Sequence, residues 1–76
     1  MSLTHLETGI PATISGLSGT TRLRKDLTEL GFVSGEKVEV LQYSYGNNII
    51  VALGGFKIAM DRKIARHVHI TLEKDE

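Results

Sequence analysis

Cysteine and tryptophan are absent from the sequence, proline occurs once, and the aromatic residues are two phenylalanines and two tyrosines. Without a thiol the chain cannot form a disulfide, a zinc ribbon or an iron–sulfur cluster, and thiol catalysis is excluded. A chain of 76 residues buries only about 60% of its unfolded surface. Since neither a disulfide nor a thiolate metal site can supply stability, we expect one compact apolar core.

An excess of charge and a long apolar run are also missing. Lys plus Arg total 9 and Asp plus Glu total 9, which gives a formal net charge of zero. Proteins that bind nucleic acid or anionic membranes usually carry a basic excess. The longest apolar run, about residues 48–53, is far below the roughly 18 residues of a membrane span, and the first residues do not resemble a secretory signal. We therefore expect the partner to be another protein.

Short runs of apolar residues, separated by turns rich in glycine and asparagine, predict a sheet of five strands. Pro11 lacks an N–H donor, so it should lie at the beginning or on the edge of the first strand. The dipeptide Gly54-Gly55 predicts a tight hairpin, because glycine readily adopts the positive φ that such turns require. The predicted strands are Ile10–Leu17, about residues 37–43, Ile49–Leu53, Phe56–Met60 and His67–Leu72.

The segment after residue 36 alternates most clearly. A strand turns successive side chains to opposite faces, so Val38, Val40 and Gln42 should share one face. Leu41 and Tyr43 should then point to the opposite face.

One amphipathic helix is predicted over Thr20–Leu30. Leu23, Leu27 and Leu30 recur at spacings of four and three, which places them on one stripe. A threonine at the beginning can cap the helix, and Gly31 is the residue type that ends helices in the left-handed conformation. At about three turns, the helix must pack against the sheet to be stable.

Five strands with one short helix after the first predict an all-β fold, an SH3-like five-stranded barrel, built as a single domain over residues 1–76. Asp61 should cap a single helical turn before the last strand, in which Val68, Ile70 and Leu72 face inward. The predicted core is Ile14, Leu23, Leu27, Leu30, Val38, Val40, Val51, Ile58, Val68 and Ile70.

The order and spacing of these segments resemble the FeoA family, the small cytosolic companions of the ferrous iron transporter FeoB. The residues that carry the resemblance are Leu3, Leu6 and Gly9, then Ile14-Ser15-Gly16, Arg22–Leu27, Leu30-Gly31-Phe32, Gly35–Val40, and finally Ile58-Ala59, Ala65, Val68 and Ile70. Two positions depart from the family pattern: Ser34 replaces a common proline, and Asp61 replaces a common arginine. Any function that depends on that arginine is not carried over to this chain.

The resemblance implies an SH3-like fold, no enzymatic activity and a cytoplasmic supporting role in ferrous iron uptake. It also implies a partner, the cytosolic GTPase region of a FeoB-type transporter, and no cofactor. Two alternatives from other classes stay open. One is an SH3-like module that binds nucleic acid or the ribosome, against which the zero net charge counts. The other is a stand-alone metal-sensing domain.

His67 and His69 are the weak candidates for metal ligands. Two residues apart on a strand, their side chains would point the same way, about 7 Å apart. With Val68 and Ile70 inward, both imidazoles should lie unpaired on the solvent face. We therefore expect no metal site, and no metal in protein purified without an affinity tag.

Neither a catalytic set nor a phosphate-binding loop is evident. Gly19 is followed by two threonines, whereas a phosphate-binding loop of the Walker type needs a lysine followed by serine or threonine. The carboxylates are dispersed along the chain.

Two surfaces are candidates for binding a partner. Arg22, Arg24 and Lys25 lie in the first turns of the helix, where the macrodipole disfavours cations, so we interpret them as a docking face for an acidic patch. Tyr43 and Tyr45 lie beside glycine and asparagine in a loop of the type favoured in binding surfaces. Each surface has an ordinary alternative, a solvated helix face in one case and aromatic packing over the barrel mouth in the other.

Overall fold

The computed structural model of the chain describes residues 1–44 and 46–72. Five antiparallel strands form one sheet in the order β4-β3-β2-β1-β5, with a ten-residue helix between the first two strands. The predicted all-β architecture with one helix after the first strand is therefore confirmed. The strands are β1 (Ala12–Leu17), β2 (Lys37–Tyr43), β3 (Asn48–Leu53), β4 (Phe56–Asp61) and β5 (Val68–Leu72); the helices are a 3₁₀ turn (Leu3–His5), α1 (Thr21–Leu30) and α2 (Arg62–Ala65).

The pairing of β2 with β3 contains a bulge that changes which side chains face the core. Val40 pairs with Val51, but Gln42 pairs with the adjacent Ile50, so one extra residue is accommodated on β2. After the bulge Tyr43 pairs with Ile49, which is fully buried. The alternation predicted from the sequence is wrong from this point on.

The bulge therefore exchanges the two predicted faces. Tyr43 packs against the core, whereas Gln42, predicted to share the inward face with the valines, is exposed. Nothing in the local sequence marks the extra residue, because Leu41 fits a strand as well as its neighbours do.

Helix α1 begins and ends as predicted. Thr20 accepts a hydrogen bond from the backbone N–H of Leu23, and Gly31 adopts a left-handed φ of 109°. The N–H of Gly31 donates to Thr28 and that of Phe32 to Leu27, the bonding pattern of a Schellman motif.

Leu30 is therefore not part of the core. It is 57% exposed, while Phe32 is fully buried in the cluster that contains Leu27. The left-handed residue turns the chain back after the helix, and the hydrophobic contact that accompanies a Schellman motif is made by the residue after the glycine. The prediction for Leu30 is wrong for this reason.

The remaining core predictions are largely confirmed. Seven residues are buried as predicted, namely Ile14, Leu27, Val38, Val40, Val51, Val68 and Ile70, and Leu23 and Ile58 are partly buried against them. Leu72, predicted to face inward, is 50% exposed at the end of β5. The core also includes Leu3 and Leu6 from the N-terminal segment, which the strand pattern does not predict.

The helices of the described ranges are short. Helix α1 has ten residues, and nothing in the described part of the chain is an apolar helix of the length that a bilayer requires. Asp61 caps α2 as predicted, because its carboxylate accepts a hydrogen bond of 2.6 Å from the N–H of Lys63.

Candidate functional site

The outer face of α1 carries the first predicted surface. Leu27 is the buried residue of the helix, and the opposite side is exposed. Positions three and four apart share one side of a helix, and here they line a shallow depression. Its residues are Thr21, Arg22, Lys25, Asp26 and Glu29.

Charge on this face is graded along the helix. Arg22 and Lys25 occupy its N-terminal half, and Asp26 and Glu29 follow toward the C-terminus. The first turn contains no acidic residue, so nothing there offsets the partial positive charge of the helix N-terminus. The N-terminal end of α1 is therefore the positive part of the surface.

Arg24 does not belong to that depression. Its guanidinium donates one hydrogen bond to the carbonyl oxygen of Gly19 and a second, at 3.4 Å, to the hydroxyl of Thr21. The side chain folds back over the beginning of the helix. The structure thus brings Arg22 and Lys25 together and places Arg24 apart from them.

Tyr43, from the second predicted surface, ties the N-terminal segment to the sheet. Its hydroxyl donates toward the carbonyl oxygens of Leu6 and, at 3.2 Å, of Thr4. Burial raises the pKa of the Tyr43 phenol, and the nearby Arg62 charge partly opposes this effect. The alternative of aromatic packing describes Tyr43 better than an open binding loop does. Tyr45 lies outside the described residues, so its role stays a prediction.

Arg62 is a residue that the sequence analysis did not single out. Its guanidinium lies over the ring of Tyr43, with Cζ 4.8 Å from the ring centroid, in a cation–π contact. In residues 1–44 and 46–72 its buried Nε has no hydrogen-bond partner. Both residues line two shallow clefts, one of about 450 Å³ beside Ser44 and one of about 320 Å³ beside His5. No sequence signal reveals this pairing, because it depends on the bulge in β2.

The two candidate histidines are not unpaired, contrary to the prediction. His67 lies in the turn before β5, and His69 lies within the strand. The Nδ1 of His67 is 3.1 Å, and the Nε2 of His69 2.9 Å, from the hydroxyl oxygen of Ser18. Both rings are half-buried. The side chains of His67 and His69 lie on the same side of the sheet. The hydroxyl of Ser18, the residue that follows β1, lies between them.

A metal ion in a protein is usually held by three or more side chains, and the described part of the chain contains no such group. There, no three His, Cys, Asp or Glu side chains are grouped so that they could hold an ion.

Comparison with known proteins gives one family and several solved structures. A family model described as the FeoA domain matches residues 1–72. Iron(II) transport protein A from Clostridium thermocellum is 30% identical, with a TM-score of 0.86, over 95% of this chain. The match spans only 45% of that longer chain. No curated protein sequence gives a significant match.

Two further solved structures cover most of both chains. FeoA from Chlorobium tepidum is 29% identical with a TM-score of 0.87, over 100% of this chain and 74% of that one. FeoA of Stenotrophomonas maltophilia in complex with zinc, described as an SH3 domain protein, is 25% identical with a TM-score of 0.82. That alignment covers 93% of this chain and 89% of the other. The five-stranded sheet is accordingly an SH3-like barrel.

Proposed function

Because this chain belongs to the FeoA family, whose model matches residues 1–72, we propose that it is a non-enzymatic cytosolic accessory protein that binds the GTPase region of a FeoB-type ferrous iron transporter. The binding surface in this proposal is the positive N-terminal end of α1. The observation that carries the proposal is the exposure of Arg22 and Lys25 on one side of that helix.

The charge arrangement supports this choice of surface. A cation in the first turn of a helix costs roughly 0.3–1 kcal/mol when exposed, so stability alone disfavours Arg22 there, and Lys25 extends the positive charge one turn further along the same side. Arg24, by contrast, is held by Gly19 and Thr21. A partner with an acidic patch would turn the unfavourable potential into attraction, which is the complementarity that guides association between charged surfaces.

Reversal of the two charges tests the proposal. The double variant Arg22→Glu, Lys25→Glu should bind the purified GTPase region of FeoB at least about tenfold more weakly, a loss of roughly 1.4 kcal/mol, in calorimetry or biolayer interferometry. Its fold should persist, because both residues lie away from the buried Leu27 and acidic residues favour a helix N-terminus. The thermal midpoint of the variant should fall only slightly, because the new glutamates face Asp26 and Glu29 four positions on, and each like-charge pair costs about 0.2–0.5 kcal/mol.

A matched control carries the same change of net charge elsewhere. Lys57 in β4 and Lys63 in α2 are both exposed, so Lys57→Glu with Lys63→Glu should leave the affinity within about twofold of the wild type. An equal loss in both double variants would contradict the proposed surface. Wild-type binding should also weaken as salt rises, mainly through the association rate.

A further inference from the structure

Ser18 lies between two imidazole rings, one from the turn before β5 and one from β5 itself. Its hydroxyl oxygen is 3.1 Å from the Nδ1 of His67 and 2.9 Å from the Nε2 of His69. The backbone holds this arrangement, because the N–H of Ser18 donates to the carbonyl oxygen of His67 at 2.9 Å and His69 pairs with Gly16 across the sheet. One ring nitrogen of each histidine therefore lies within hydrogen-bond distance of the same Ser18 oxygen, and imidazole nitrogens are common metal ligands.

A proton count limits how this cluster can be bonded. A serine hydroxyl has one hydrogen to donate, so it can donate to only one of the two rings. The other ring must then donate its own N–H to the Ser18 oxygen. The Ser18 hydroxyl can also rotate away, with the proton of His67 on Nε2 and that of His69 on Nδ1. The lone pairs of the His67 Nδ1 and the His69 Nε2 then point into the same space. Neutral imidazoles in that arrangement are the ligands that Zn²⁺ and Cu²⁺ prefer.

We propose that His67 and His69 form a two-imidazole site for a divalent transition ion such as Zn²⁺ or Cu²⁺, and that the Ser18 hydroxyl bridges the two rings in the metal-free protein. A zinc–imidazole bond is about 2.0–2.1 Å long, so each ring nitrogen must approach the common centre by about 1 Å. Both side chains are half-buried, and β5 is an edge strand of the sheet.

The site is labile rather than structural. No third His, Cys, Asp or Glu joins the two rings in the described ranges 1–44 and 46–72. Water molecules, with or without the Ser18 hydroxyl, must fill the remaining coordination positions, and an ion held in this way exchanges readily. This agrees with the expectation that purified protein carries no stoichiometric metal. By the usual order of affinities, Cu²⁺ should bind more tightly than Zn²⁺, and Fe²⁺ more weakly than both.

Hydrogen bonding alone is the competing explanation. In that case Ser18 fastens the end of β1 to β5, and the histidines are its partners with no affinity for metal. A direct measurement of metal binding by the two imidazole rings distinguishes the two explanations. Both predict that Ser18→Ala lowers the thermal midpoint, but only the metal site predicts that the variant still binds the ion.

The experiment titrates ZnCl₂ into tag-free protein and follows the imidazole nitrogens in long-range ¹H–¹⁵N spectra. Ligation should shift the Nδ1 signal of His67 and the Nε2 signal of His69, and leave exposed His5 unchanged. In parallel calorimetry, His67→Ala and His69→Ala should each weaken binding by about 10- to 100-fold or more, since even loss of an outer-shell partner has an effect of that size. His5→Ala is the matched control and should bind as the wild type does.

The NMR titration uses the wild-type protein alone, so it tests the proposal even if an alanine variant does not fold. With CuCl₂, electron paramagnetic resonance should show hyperfine coupling to two imidazole nitrogens in the wild type and in Ser18→Ala. The proposal is overturned where Zn²⁺ leaves both ring signals in place, or where folded His67→Ala and His69→Ala bind as tightly as His5→Ala.

Discussion

The hydroxyl of Tyr43 donates a hydrogen bond to the carbonyl oxygen of Leu6, a residue 37 positions earlier in the chain. Leu6 is buried, and the same hydroxyl reaches the carbonyl of Thr4. A single phenol at the end of β2 therefore positions the N-terminal segment that supplies two leucines to the core. The ring of Tyr43 packs against the core, which is one of the two roles that its place beside a polar loop allowed.

Tyr43→Phe tests this relationship. The ring and its contact with Arg62 remain, but the two carbonyl oxygens lose their donor. The free energy of unfolding should fall by about 0.5–1.5 kcal/mol in total, because the phenol has a single hydrogen that the two carbonyl oxygens share, and urea denaturation near pH 7 measures the change. Amide hydrogen exchange of residues 3–6 should accelerate in the same variant. Unchanged stability and exchange would show that the N-terminal segment is held by its leucines alone.

The same phenol predicts a dependence of stability on alkaline pH. Burial raises its pKa above the ordinary value of 10.0, so the folded state favours the neutral phenol. The stability that this provides is complete below the ordinary pKa and is lost as pH rises through the raised one. Between pH 9 and pH 11 the wild type should therefore lose more free energy of unfolding than Tyr43→Phe. Parallel losses in both proteins would place the titrating groups elsewhere.

Two leucines on α1 offer a matched test of the packing. Leu27 is 1% exposed and Leu30 is 57% exposed, although their spacing assigns both to one stripe. Leu27→Ala should lower the free energy of unfolding by about 2–5 kcal/mol, and Leu30→Ala should change it by about 0.5 kcal/mol or less. Denaturant unfolding of the two variants checks the prediction. Comparable losses would mean that the last turn of the helix packs as the stripe predicted.

The sequence predicted well those features that depend on local chemistry. Thr20 and Asp61 cap their helices as expected, and Gly31 ends α1 as expected, because capping requires only a side chain or a φ value at one position. The hairpin at Gly54-Gly55 follows from the same kind of local preference, with φ values of 57° and 90°.

Features that depend on distant pairing were not predictable in this way. Tyr43 changes face because β2 contains one residue more than β3 opposite it, and the partner strand determines that difference. Ser18 meets His67 across 49 positions of sequence, so their hydrogen bond leaves no local pattern. Arg62 meets Tyr43 through the pairing of β2 with β3 and of β3 with β4, so their contact also depends on distant pairing. The candidate sites therefore changed more than the fold did.

The most direct test of the central claim is to map the contact surface on the ¹⁵N-labelled chain as the GTPase region of FeoB is added. We expect the amide signals of residues 21–26, at the N-terminal end of α1, to shift or broaden first, and the effect to shrink as salt is raised. Signals of the Lys57 and Lys63 amides should stay in place. Perturbation confined to residues 43–48, or a spectrum that the GTPase region leaves unchanged, would contradict the claim that this helix face binds the transporter.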